Sequence, residues 1–430
     1  MESKTSGLLL FDEQDIQTDI IGNSCVDYHP ITSLSSGGPI EFFVPGASDE
    51  YIDVSDIHLE ICIKVQKVEA GKVSDLADAD KAALINQPIS SLFQDVYFSI
   101  GDKQVEGGQH LYPYTAYLCS LLQFHPSAKK THMEAYGWNE DEPGAMDNDA
   151  NEGFKFRSKA IVNGKEWNLY GPLFLDMMRQ PRFLLPKADL SFKFLQAKKA
   201  FVMHQLAAAA VDYKIEFTRC VLWVRRVKVN DLVIAQHNKG LESNNAIYPL
   251  QHIDIKSFTI ASGQSTLRKD GLYMSQCPKK LVIGLLDHEA HTGKVGLNPF
   301  NFQHFNLSRI AIYRDGDLTA GQTLTTDYTK KLYTRAYVNS QASLGYFNTD
   351  DTNGLTMEHF EKGYNLYVFD LTPDGVNDAT HRSPLAFSSL RLEIDFSKAL
   401  AKPINVLVLA VFDAKLEITK LRDVVASYAR

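Results

Sequence analysis

Along most of the chain, apolar residues occupy every second position. In "DIHLEICIKV" the residues Ile57, Leu59, Ile61, Ile63 and Val65 alternate with His58, Glu60, Cys62 and Lys64. That is the period of a strand with one buried face. "DLSFKF" repeats it with Leu190, Phe192 and Phe194, and "RLEIDFSK" with Leu392, Ile394 and Phe396 against Glu393 and Asp395. The run Tyr213 to Val229 alternates and then turns apolar in "CVLWV", whereas Val406 to Phe412, "VLVLAVF", is apolar throughout. Continuous runs of this kind predict strands covered on both faces. Helical spacing is scarce. "YPYTAYLCSLL" places Tyr114, Tyr117, Leu118 and Leu121 on one face behind Pro113, and "DYTKKLYTRAYVNS" does the same with Tyr328, Leu332, Tyr333 and Ala336. "HQLAAAAV" near residue 207 reads as a further short helix. Helices in connections, without regular βαβ alternation, predict an all-β protein rather than a doubly wound parallel sheet.

The pattern occurs twice. "VYFSIGDKQV" begins at residue 96 and "IAIYRDGDLT" at residue 310, and each is a strand that runs through a Gly/Asp turn into a second strand. "YTAYLCSLL" follows the first hairpin and "YTRAYVNSQ" the second. The strand centred on Ile61 precedes one, and "KKLVIGLLD" precedes the other. Further on, "GPLFLDMMRQP" with "ADLSFKF" matches "GYNLYVFDLTP" with "SSLRLEIDF", and each half closes on a long strand, "YKIEFTRCVLWV" or "INVLVLAVFDAKLEI". Shared order over so many elements predicts one β domain duplicated. The expected organisation is an N-terminal arm at 1–24, a first sandwich at 25–236 and a second at 237–430 that includes the C-terminal tail, with the linker in "IAQHNKGLESNNAIYP". Three polar, acid-rich stretches, "QKVEAGKVSDLADADKAA", "WNEDEPGAMDNDANEGF" and "NSQASLGYFNTDDTNGLTMEHFEKG", read as surface loops.

Composition sharpens this picture without changing it. A chain of 430 residues is long enough for two large sandwiches, and 44% hydrophobic with 22% charged residues is a globular balance. Aromatics reach 11%, with 24 Phe and 19 Tyr, which suits pleated surfaces. A formal net charge of −8 supplies no field for phosphate backbones, so specific nucleic-acid binding is not expected. The densest basic stretch, Arg219, Arg225, Arg226 and Lys228, reads as a solvated strand face. Five scattered cysteines without a CxxC pair fit a reducing compartment. "MESKTSGLLLFDEQDIQTDI" lacks the apolar core of a secretory signal, no run is long enough for a membrane span, and the sequon at Asn306 is expected to stay unused.

Candidate chemistry is thin. His288 and His291 flank Glu289, but at a spacing of three rather than the four that a zinc-binding helix requires. Asp147, Asp149 and Asn151 have calcium-loop spacing, yet Glu152 stands where the loop wants Gly and Ser158 where it wants a bidentate Glu. Glu393 and Asp395 share a strand face at a separation a glycosidase could use, although alternating charge opposite an apolar face is the ordinary look of a solvated sheet. No nucleophile elbow, phosphate loop or dinucleotide fingerprint occurs. The reading therefore assigns no catalytic, cofactor-binding or metal residues, no cofactor and no enzymatic activity.

The ordered segments resemble the double jelly-roll major capsid proteins of Polinton (Maverick) elements and adintoviruses. The resemblance is carried by "YIDVSDIHLEICIKV", "SLFQDVYFSIGDKQV" leading to "YPYTAYLCSLL", "GPLFLDMMRQPRFLL", "KKLVIGLLDHEAHTGKVGLNPFNFQHFNLSRIAIYRDG", "GYNLYVFDLTPDG" and "LRLEIDFSKALAKPINVLVLAVFDAKLEI". It implies two eight-stranded jelly rolls in tandem and a homotrimer whose six jelly rolls form a nearly hexagonal capsomer. It further implies an icosahedral shell of such capsomers around double-stranded DNA. The implied partners are neighbouring capsomers, a single jelly-roll vertex (penton) protein and minor capsid proteins, and the implied location is the virion. Within the trimer an apolar interface of more than about 2,000 Å² is expected, with smaller and more polar contacts between trimers. The alternatives are a carbohydrate-binding or glycoside-cleaving β sandwich, which requires a groove of exposed aromatics, and a viral spike or vertex protein.

Overall fold

The computed structural model describes residues 16–34, 37–206, 211–375, 384 and 386–427. Residues 1–15 of the expected arm, residues 207–210 of the helix expected near 207 and the last residues of the tail lie outside the described residues, and His204 and Gln205 at the start of that expected helix lie in a strand instead.

Strands in the first half are β1 (Ile20–Tyr28), β2 (Ile40–Val44), β3 (Glu50–Glu69), β4 (Lys72–Asp75), β5 (Ala82–Leu84), β6 (Phe93–Ile100), β7 (Lys103–Glu106), β8 (Glu166–Pro172), β9 (Leu190–Gln196), β10 (Met203–Gln205) and β11 (Asp212–Val229). One sheet runs β1-β11-β3-β8, with β4 also on β3, and the other runs β2-β9-β6-β7, while β5 and β10 form a separate small pair. In the second half β12 (Ala246–Ile260), β13 (Thr266–Tyr273), β14 (Lys280–Asp287), β15 (Leu307–Arg314), β16 (Asp317–Thr325), β17 (Leu366–Asp370), β18 (Leu390–Phe396) and β19 (Ile404–Ile418) give β12-β19-β14-β17 and β13-β18-β15-β16, with β20 (Val424–Ser427) added to β19. The two orders correspond strand for strand, and each is the order of an eight-stranded jelly roll. All ladders between named strands are antiparallel, and among the described residues none joins a strand before Val229 to one after Ala246.

The two hairpins that first betrayed the duplication are β6–β7 and β15–β16. Their turns hold Gly101 at φ 55°, and Asp315 and Gly316 at φ 54° and 92°. Left-handed backbone matches the right-handed twist of the flanking strands, which is why Gly and Asp sit there.

Alternation along β19 shows what its continuous run means. Val406, Val408, Ala410 and Phe412 point into the core of the second sandwich with Ile283, Ile310 and Ile394. Leu407, Leu409 and Val411 point the opposite way, into a cluster shared with the first sandwich, as do Val282 and Leu286 of β14 and Leu366 and Val368 of β17. Gly284 lies on that outward side, where an added Cβ would come within 2.6 Å of the Phe302 ring, so glycine admits the close approach. The similar run in β11 behaves differently. Cys220, Leu222 and Val224 are buried, and on the other side Val221 is buried too but Trp223 is only partly covered, so the first sandwich leaves part of its outer face open.

Several expectations need correction. The stretch "NSQASLGYFNTDDTNGLTMEHFEKG" is not a free surface loop, since it holds the end of the helix Thr334–Ser343 and the helix Met357–Glu361, with Asn353, Leu355 and Phe360 buried. The helix expected from Tyr328 runs only from Thr334 to Ser343. A tight turn pairs Asp327 with Leu332 ahead of it, Tyr328 stacks on Tyr333, and Leu332 is exposed. The stretch "WNEDEPGAMDNDANEGF" is not a free surface loop: Trp138, Asp141, Met146, Asn151 and Phe154 are all buried. Arg226 is not part of a solvated face, since it is buried against the Tyr28 hydroxyl (2.9 Å) and the Pro45 carbonyl (2.6 Å). In each case a partner distant in sequence overrides the local pattern.

Candidate functional site: the junction between the sandwiches

The most elaborate arrangement of side chains lies where the two sandwiches meet. Its centre is apolar. The helix Tyr112–Gln123, which connects β7 to β8, is buried at every position except Thr115 and Gln123. A helix can be buried all round only if protein covers both of its sides, and here the second sandwich supplies the outer cover. Tyr117 stacks on Phe300 with centroids 4.0 Å apart and planes 1° apart, Tyr117 also stacks on Trp138, and Tyr114 meets Phe300 edge-on at 5.7 Å.

On one side of this centre sits a fully buried ion pair. Arg157, on the helix Glu152–Ile161, donates to Asp141 at 2.5 Å, and both side chains are completely covered. Its remaining donors reach the Leu84 and Asn139 carbonyls, each at 2.9 Å. Asp141 also accepts from Asn151 (2.8 Å) and, across the junction, from Asn298 (3.1 Å), while the Tyr364 hydroxyl donates to its backbone carbonyl at 2.6 Å. Asp147 accepts from the Asn298 amide and from the Asn301 side chain, each at 2.6 Å. Such a cluster satisfies its own polar groups and fixes one relative placement of the two halves. Nearby, Lys129 donates to the carbonyls of Leu121 and, in the other half, Asn353, and burial pulls its pKa down to about 8.

On the other side, Asp95, Glu106, Asp176, His252, Asp254, Lys256 and Tyr273 border a cavity of about 510 Å³. Asp176 pairs with His252 at 2.7 Å and accepts from the Ile253 amide, and Gln109 donates to Asp254 at 3.1 Å. Glu106 accepts from the amides of Asp176 and Met177, both at 2.8 Å. Burial, reinforced by the charge of Asp176, pushes the Glu106 carboxyl up to about 8. Burial by itself would lower His252, but the bond to Asp176 and the charges of Asp176, Glu106 and Asp254 hold its pKa above the usual value. Both carboxyl groups are thus hydrogen-bonded into the junction while bordering the cavity.

These two groups give the junction a pH dependence of definite sign. Glu106 ionises near 4.5 in the unfolded chain but only near 8 in the folded one, and His252 keeps its proton above the ordinary 6.5. Both therefore stabilise the fold at low pH and lose that contribution as pH rises through their folded values. A tenfold difference in proton affinity between folded and unfolded chain is worth about 1.4 kcal/mol, less whatever water in the cavity screens. Denaturant unfolding should accordingly show a junction weaker at pH 8.5 than at pH 6, and Glu106→Gln should flatten that difference. A wild-type profile no steeper than that of the variant would contradict the assignment.

The residues singled out from sequence do not converge. His288 donates from Nδ1 to the Asn405 side-chain oxygen (2.7 Å), whereas His291 lies against Tyr114 (3.2 Å) and Ser257 (3.3 Å), both on the short helix His288–Thr292. Asp149 pairs with Lys81, away from Asp147, and Asn151 caps a helix. Glu393 and Asp395 share Arg309, at 3.1 Å each, and Arg268. Arg219 pairs with Glu60 and Arg225 with Asp56. Among the described residues no group of three His, Cys, Asp or Glu side chains is placed to hold a metal ion, and no helix is long and apolar enough to cross a membrane. The junction residues had only faint signals: Phe300 lies in the aromatic-rich "NPFNFQHFN", and Tyr117 at helical spacing.

No family model matches the chain. An uncharacterized protein of Caenorhabditis elegans is 24% identical over 349 residues, spanning 79% of this chain and 82% of that protein. In three dimensions the chain is similar to a protein of the Sputnik virophage, at 15% identity and a TM-score of 0.66, over 100% of this chain and 93% of that one. It is also similar to the mavirus major capsid protein, at 12% identity and a TM-score of 0.56, over 94% and 90%. The Faustovirus major capsid protein gives 9% identity and a TM-score of 0.59 over 96% and 93%. At these identities the likeness is one of fold, and it covers both jelly rolls.

Proposed function

We propose that this chain is a structural major capsid protein, non-enzymatic, whose homotrimer forms a pseudo-hexagonal capsomer. Such capsomers would tile an icosahedral shell around double-stranded DNA, with a penton protein and minor capsid proteins as further partners. The observation that carries the reading is two jelly rolls of corresponding strand order in one chain, locked by a buried polar and aromatic junction. A threefold assembly has three equal edges, whereas a tile with six neighbours needs six similar ones, and a rigid pair of like sandwiches per subunit supplies them. The capsid proteins of mavirus and Faustovirus share this tandem plan. Within the proposal, the first jelly roll is 25–236 and the second 237–430. The narrower reading within this proposal is a Polinton- or adintovirus-like element, supported by the resemblance of the ordered segments.

Light scattering on the purified chain tests this. Three times 48.2 kDa is expected, with electron microscopy showing three-lobed or hexagonal tiles or closed shells. A stable monomer that binds glycans would instead support a carbohydrate-binding sandwich.

A further inference from the structure

The duplication leaves one half of its own interface unused. Inside the chain, the β7–β8 helix of the first sandwich packs over the outer face of the β12-β19-β14-β17 sheet of the second, with Phe300 between them. The topological counterparts of those two surfaces are the β16–β17 helix Thr334–Ser343 and the outer face of the β1-β11-β3-β8 sheet. Among the described residues, both are left open on their outer side. The first helix is buried at nearly every position, but in its counterpart only Ala336, Ser340 and Ser343 are buried, and Arg335 and Ala342 are exposed. Outward residues of β14 and β19 are apolar and covered, whereas in the outward row of the first sandwich Val221 is buried but His58, Glu60, Cys62, Tyr170 and Trp223 remain partly or largely open. That row is ordered despite its exposure: Tyr170 stacks on His58 at 5.1 Å, and the Trp223 indole donates to Glu60 at 2.9 Å. Rigid aromatics with one polar handle are what protein interfaces favour.

We infer that the outer face of the β1-β11-β3-β8 sheet receives the Thr334–Ser343 helix of a second copy of this chain. The pairing repeats the contact within the chain, so each subunit offers one donor helix and one acceptor sheet. Donor meeting acceptor is a heterologous contact, which closes into a ring when the step between sandwiches divides a full turn. The faces follow from the duplication, and only the number of copies rests on the trimer reading above. The contact within the chain is already buried, whereas the outer row is still partly open, and this orders the events: each subunit folds complete, then docks.

Tyr170→Glu on the acceptor and Ala342→Glu on the donor test the pairing, since both sites face solvent in the single chain and spare its core. Light scattering should show three copies for the wild type and one for each variant, with unchanged thermal unfolding of the secondary structure. Mixing the two variants should restore a complex of two chains and no more, because one unaltered junction survives; a contact between like faces would restore nothing. Alkylation of Cys62, located by mass spectrometry, should be on the order of tenfold slower in the wild-type assembly than in the Tyr170→Glu chain. A wild type of three copies that both variants leave intact, or that leaves Cys62 equally reactive, would overturn the pairing while sparing the trimer. A wild type that never exceeds one copy would remove both.

Discussion

Asp141→Ala is expected to lower the unfolding free energy by about 3–5 kcal/mol, the usual effect of stripping one partner from a buried ion pair. Arg157 would keep its bonds to the Leu84 and Asn139 carbonyls but would hold a positive charge at a site with no solvent access. Asn151 and Asn298 would lose an acceptor as well, so the damage spreads to the contact between sandwiches. Denaturant unfolding gives the number. The informative comparison is Asp141→Leu combined with Arg157→Met, which removes both charges and should cost clearly less than the single change. If the double variant is the less stable of the two, the pair is not the source of the effect.

Phe300→Ala should cost a similar amount, about 3–5 kcal/mol, for a different reason. The ring is fully buried between Tyr114 and Tyr117, so truncation removes the stacked contact and leaves a void that a helix packed on both sides cannot collapse into. Loss should appear first as separation of the halves, seen as earlier proteolysis in the connection at 241–245 under mild denaturant. Phe387→Ala is the control: that ring is 74% exposed, and its removal should change stability by less than about 0.5 kcal/mol. Equal effects at the two positions would mean the junction is not a stability element.

The strands were readable because alternation is local: Ile57 to Val65, Leu190 to Phe194 and Leu392 to Phe396 each declare their buried side within a few residues. The duplication was readable for the same reason, since β6–β7 and β15–β16 each carry their turn chemistry with them. The junction was not. Asp141 lies in a stretch whose composition is that of a solvated loop, with Arg157 just beyond it, and bonds to Leu84, Asn298 and Tyr364, all far away in the chain, help to make it a buried network. Likewise Glu393 and Asp395 suggested paired carboxylates, and the arginines of neighbouring strands claim them both.

The strongest contrast is between two apolar runs. "VLVLAVF" and "CVLWV" make the same demand for cover on both faces, and the sequence by itself determined that demand, the strand period and the twofold plan. Which run would have it met was decided only in three dimensions. The first sandwich lays its helix against the face of β19, with Phe300 of the second sandwich between them, whereas Trp223, on the corresponding face of β11, stays partly open. A residue pattern encodes how much surface must leave water, but the identity of the covering surface depends on contacts between segments far apart in the chain, which no local period records.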